Sequence, residues 1–245
     1  MSALPRMTVA EAYRRTRLEL LDLAARLDED QAARRVPACP DWTVKDVYAH
    51  LTGVACDILE RRTDGVATPP WTARQVESRR QASLAEVCAE WTLAGPKVEA
   101  FLAEREGVAS VARAAFDIWT HEQDVRGALG QRGVRDDERV RWMTAHMTAM
   151  LSRRLEEAGT LALRVGDTLL GGQSPGAAVS AEGELSGAPS DAPGATLAVS
   201  DYELLRIVFG RRSEQQILAA DWDGDPGPYL DYLHVFPLAV ADIVD

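Results

Sequence analysis

Asp117, His121 and Asp124 stand at i, i+4 and i+7 in FDIWTHEQDVRGAL, Phe116 to Leu129. On an α-helix that spacing puts the three side chains on one face, with residues four apart separated by roughly 5–6 Å at Cβ. A carboxylate and an imidazole so placed can hold one divalent cation between them. A third ligand has to come from another element, and four histidines could supply an imidazole: His50, His121, His146 and His234. His50 is the candidate partner. Two imidazoles and one carboxylate leave coordination positions open for water or substrate, as in a catalytic rather than a structural metal site. Zinc is the default metal, and the same set suits iron(II) or manganese. Asp124 could orient an imidazole, pair with Arg126 or another cation, or stand as a solvated helix carboxylate. The motif D-x-x-x-H also occurs on ordinary helices, where Asp117 and His121 would pair with each other.

These residues need elements to position them. Thr8 opens a Thr-x-x-Glu capping box, and Val9, Ala12, Tyr13, Leu20, Leu23 and Leu27 mark the apolar face of a helix reaching Asp28. After a proline-punctuated loop, Thr43 and Asp46 offer an N-cap for a helix from Val44 to Arg62. Its inward stripe reads Val47, His50, Leu51, Val54 and Ile58, so His50 sits among apolar residues, where a core histidine bonded to a backbone carbonyl is the alternative. GVATPPW, Gly65 to Trp71, reads as a loop, and Thr72 to Glu106 as helix with a kink or break at Gly95-Pro96. Ser110 to Leu129 is the helix with the candidate ligands, and Asp136 to Gly159 is another, carrying Trp142, His146, Met150 and Leu155. Antiparallel helices with shared inner faces suggest a bundle.

Beyond Gly159 the pattern changes. Leu161, Leu163 and Val165 alternate with smaller or polar residues before Gly166-Asp167, which predicts a strand and turn returning over Thr168 to Leu170. The next segment, rich in Gly, Ser, Pro and Ala, predicts loops around short strands; Thr196 to Val199 reads as a strand, and Ser200-Asp201 caps a helix through Phe209. The fold class is α+β with two domains, a helical one over 1–158 and a smaller α+β one over 159–245.

Composition narrows the function. A net charge of −11 disfavours phosphate-backbone binding, so no nucleic-acid partner is expected. Cys39, Cys56 and Cys88 form no CxxC pair, which argues against a disulfide framework or a cysteine zinc site and fits a reducing cytoplasm. No window approaches the ~18 apolar residues of a membrane helix, and no signal peptide is evident. A cytoplasmic protein, monomeric or homodimeric, without a membrane partner is expected.

Two segments carry a family resemblance. CPDWTVKDVYAHLTG, Cys39 to Gly53, resembles the first block of the mycothiol-dependent maleylpyruvate isomerase family, and FDIWTHEQDVRGALG resembles its second. GRRSEQQILAADWDGDP, Gly210 to Pro226, is similar to the tail of that family's small C-terminal domain. The resemblance implies a DinB-like four-helix bundle whose metal, usually zinc, is held at positions matching His50, Asp117 and His121. The family commonly has Glu where this chain has the shorter Asp117. It also implies mycothiol as cosubstrate: the metal would favour thiolate, which attacks an electrophilic small molecule, in an isomerase or an S-transferase. Asp124 and Arg211 are the candidate catalytic residues. Arg211 and Arg212 are candidates to hold a carboxylate of substrate or thiol, against the alternative of a surface pair at a helix end. Rival readings are a metal-dependent hydrolase with Asp124 or Glu122 as base, and a non-catalytic metal-binding module of the same fold. Trp42 and Trp119 would pack the bundle or wall the site, and Trp222 would pack between the two domains.

Overall fold

A computed structural model of the protein describes residues 7–159, 161–166, 168–171 and 194–245. The Gly/Ser/Pro-rich segment expected to form loops around short strands lies almost wholly outside these residues, as does Asp167 of the expected turn. The fold is α+β, and it divides into two compact units, 1–133 with 244–245, and 134–243.

The first unit begins with α1 (Val9–Ala24), whose N-terminus Thr8 caps by accepting from the Glu11 amide at 3.1 Å. A single turn, α2 (Glu29–Ala32), leads into a short antiparallel hairpin of β1 (Arg35–Val36) and β2 (Cys39–Thr43). The hairpin stands where the sequence suggested only a loop. Thr43 then closes a capping box with Asp46, as expected, and α3 (Val44–Leu59) follows. Middle turns of α3 are buried nearly all round, with His50, Thr52 and Asp57 inside alongside the apolar residues. Helix α4 (Pro69–Glu77) comes next, then α5 (Leu84–Ala103) and α6 (Ala112–Ala128).

Two expectations are corrected here. Pro69-Pro70 does not belong to a loop but forms the first turn of α4, where a missing amide hydrogen costs nothing. The break expected at Gly95-Pro96 falls instead between Ser78 and Ser83, where Ser83 and Glu86 make a capping box and restart the chain as α5. Helix α5 runs through Pro96 because neighbours hold it on both sides. A Cβ on Gly95 would fall 2.4–2.6 Å from the Arg17 side chain, and Arg17, buried on α1, pairs with Glu99 at 2.7 Å. Helices α1, α3, α5 and α6 share one core, in which α5 packs on α1 and α3, and α6 on the same two. Trp91 and Tyr48 lie fully buried there, with Tyr48 donating to Leu20 O at 2.7 Å and Trp91 to the Tyr13 hydroxyl at 3.1 Å.

In the second unit, α7 (Glu138–Ala158) is followed by β3 (Leu161–Val165), β4 (Thr168–Gly171), β5 (Ala195–Val199), α8 (Asp201–Val208), α9 (Glu214–Leu218) and β6 (Asp221–Gly224). The sheet order is β4-β3-β5-β6, antiparallel except for the parallel β3–β5 pair. Helix α7 packs on α8, β3 and β4, so contacts group it with the sheet, whereas the sequence reading placed it in the helical domain ending at 158. Trp222 lies in β6 and donates to Ile217 O at 2.8 Å, ending α9. Among the described residues no helix is long and apolar enough to cross a membrane.

Candidate metal centre

The capping box that starts α3 fixes its phase, which turns His50 inward; α6 presents Asp117 and His121 one turn apart on the face toward it. The three candidate ligands meet. His50 Nε2 lies 3.6 Å from Asp117 Oδ2, and His121 Nε2 lies 3.7 Å from Asp117 Oδ1. Ligand atoms of all three residues lie within 4.8 Å of one another. Both imidazoles are buried, while the Asp117 side chain retains 35% exposure, so solvent reaches the cluster at the carboxylate.

The distances discriminate between readings. A nitrogen-to-carboxylate hydrogen bond runs from about 2.7 to 3.2 Å. Both contacts of Asp117 exceed that range, so neither imidazole is directly bonded to it. Tetrahedral ligation at about 2.1 Å per bond separates ligand atoms by about 3.4 Å, close to the spacing seen here. The donor set is therefore compatible with a divalent cation.

Each imidazole has a polar group beside its other nitrogen, hydrogen-bonded in the case of His50 but not of His121, whose Nδ1 makes no hydrogen bond among the described residues. His121 Nδ1 faces Asp124 Oδ2 at 3.2 Å, and Asp124 in turn faces Cys39 Sγ at 4.0 Å. Asp124 is fully buried, which removes the solvated alternative, and Arg126 pairs with Glu122 at 2.9 Å. Burial pushes the pKa of His121 below the ordinary histidine value, against the pull of Asp124 and Asp117, which favours the neutral imidazole a metal needs. His50 Nδ1 lies 2.7 Å from Gln75 Oε1, whose amide nitrogen donates to Asp57 Oδ2 at 2.8 Å. Cys39, His121 and Asp124 form a second group with ligand atoms equally close, sharing His121 with the first.

Aromatic rings wall the cluster. Trp42, from β2, lies 5.0 Å from His50 and 6.0 Å from His121 between ring centroids, and Trp71 meets His50 edge-on at 6.3 Å. Trp119 is buried as core. Gln75, Asp57 and Trp71 escaped the sequence reading. Their signals were faint: Asp57 is a lone acid in the apolar run VACDIL, two turns after His50, and Gln75 follows Trp71 by four residues on a helix whose start was read as loop.

The remaining candidates belong to the second unit. Arg212 is buried and forks onto Glu203 at 2.5 and 3.0 Å, a built ion pair rather than a surface one, and Arg211 donates to Phe209 O at 2.8 Å. His146 Nδ1 lies 2.9 Å from Trp142 O and His234 Nδ1 2.7 Å from Phe236 O, so both have local partners.

An α+β protein whose helical unit gathers two histidines and an aspartate into one partly open cluster is the class this fold and site define. Residues 13–126 match the model of the mycothiol maleylpyruvate isomerase N-terminal domain. The match contains all three candidate ligands. A search of curated protein sequences finds no match. Among solved structures, the fold is similar to that of a histidine-to-alanine mutant of the mycothiol-dependent maleylpyruvate isomerase, with a TM-score of 0.55 and 11% identity over 83% of this chain and 88% of that one.

Proposed function

We propose that the protein is a metal-dependent, thiol-using enzyme of the mycothiol-dependent isomerase or S-transferase type. His50, Asp117 and His121 hold one divalent cation, with zinc as the first choice. The observation that carries this reading is the spacing of the Asp117 carboxylate from both imidazoles, too long for hydrogen bonds and right for shared ligation. The match of residues 13–126 to the mycothiol maleylpyruvate isomerase N-terminal domain supports mycothiol as the thiol. Bound there, the cation would lower the pKa of a thiol and so supply a nucleophilic thiolate.

The chain's own residues do the rest. The Asp124 carboxylate lies beside His121 Nδ1, while the opposite nitrogen of that ring is turned toward Asp117. Trp42 and Trp71 shield the histidines from bulk water, which strengthens every charge interaction inside the cluster. The half-exposed Asp117 edge is where thiol and electrophile enter. The enzyme is cytoplasmic and acts on a small electrophile.

The test is zinc stoichiometry and turnover on a panel of activated double bonds and alkylating electrophiles, with and without mycothiol. One zinc per chain and turnover only with thiol are expected. Turnover that proceeds at the same rate without thiol would overturn the proposal.

A further inference from the structure

We infer that Asp57 and Gln75 are positioning residues that lock His50 in the Nδ1–H tautomer, leaving its Nε2 lone pair directed at the Asp117 and His121 side. The inference follows from donors and acceptors taken in order from the far end. Asp57 is buried on α3, two turns beyond His50, and accepts from Arg62 Nε at 2.9 Å, from an Arg74 guanidinium nitrogen at 3.4 Å and from Gln75 Nε2 at 2.8 Å. A carboxylate can only accept. The amide end of Gln75 facing it must therefore be the NH2, which turns the Gln75 carbonyl toward His50. That carbonyl also can only accept, so the Nδ1 atom 2.7 Å away carries the proton and Nε2 carries none.

The surrounding structure holds this relay in place. Gln75 is buried at 2% exposure, so no water competes for its amide. A Cβ on Gly53 would fall 2.5 Å from Gln75 Cβ and 2.6 Å from its Cγ, so the glycine is what lets α4 approach closely enough for Gln75 to reach His50. Trp71, one turn earlier on α4, donates to Arg62 O at 3.0 Å and ties the start of the helix to the segment carrying the Arg62 partner of Asp57.

The consequence of the relay for metal affinity rests on the proposed role of His50 as a ligand; its geometry does not. The experiment is accordingly made first on the metal-free protein. Long-range proton–nitrogen correlation spectra of histidine-labelled protein at about pH 8, above the ordinary histidine pKa, distinguish the two neutral tautomers. Wild type should show His50 as a single Nδ1–H tautomer. Asp57→Asn can present an NH2 to Gln75, flip its amide and convert His50 toward Nε2–H; Gln75→Met should leave a mixture of tautomers. Zinc affinity, measured by competition with a chromophoric chelator, should fall about 10- to 100-fold in Gln75→Met with helix content unchanged. An Nε2–H tautomer in wild type, or an unchanged Nδ1–H pattern in both variants, would overturn the inference. If a variant fails to fold, the wild-type spectrum still decides. Wild-type protein with the Nδ1–H pattern that takes up no zinc would uphold the relay and refute the metal reading instead.

Discussion

Removing either imidazole should remove the metal without removing the fold. His50→Ala and His121→Ala are each expected to weaken zinc binding by more than about 100-fold, beyond the usual loss for an outer partner, with far-ultraviolet circular dichroism unchanged. Asp124→Asn keeps the shape but removes the negative charge beside His121 Nδ1, and calorimetry should show a loss of about 10- to 100-fold in zinc affinity. His121 also gives the metal-free protein a pH dependence. Burial lowers its pKa in the folded state, so the unfolded chain takes up the proton first. Stability present above the unfolded value, about 6.5, is lost as pH falls through it toward the lower folded value. Urea midpoints of the metal-free protein should fall across that window, and His121→Gln should flatten the dependence. At this scale the sequence was informative where chemistry demands rare residue types, since His50, Asp117 and His121 do converge. It was silent on Gln75 and Asp57, because a glutamine and an aspartate have no distinctive pattern until a helix places them against a histidine.

Elements decide whether those side chains meet. Gly53→Ala should push α4 away from α3, because the new methyl would overlap Gln75. Overpacking of this kind costs about 1–3 kcal/mol, read as a lower denaturation midpoint, and the displaced Gln75 should lower zinc affinity as well. Thr43→Ala removes the oxygen that accepts from the Asp46 amide at the start of α3, at a cost of about 1 kcal/mol. The caps at Thr8 and Thr43 and the apolar stripes were legible because capping and helical period are local properties. The β1–β2 hairpin and α4 were not, since short elements containing prolines owe their form to what they pack against. The capping box at Ser83 was legible in principle, but the nearby Gly95-Pro96 drew the break to itself. Helix α5 passes through that pair because packing by α1 and α3 outweighs local propensity.

At the level of the whole molecule, binding metal to the folded chain alone should raise stability by mass action. Free zinc at 100 times its dissociation constant corresponds to about 2.7 kcal/mol, so the melting temperature should rise on loading and return on chelation, and His121→Ala should show no such rise. The α+β class was legible from the change of pattern after Gly159, yet α7 groups with the sheet rather than the helical core, a partition set by tertiary contacts that periodicity cannot express. The central claim is that the cluster of His50, Asp117 and His121 holds a metal that makes a thiol into a thiolate. Calorimetric titration of the zinc-loaded protein with mycothiol, repeated in two buffers of different ionisation enthalpy, tests it most directly. The account predicts one zinc per chain and one proton released for each thiol bound. Thiol binding without proton release, or no thiol binding by fully loaded protein, would contradict it.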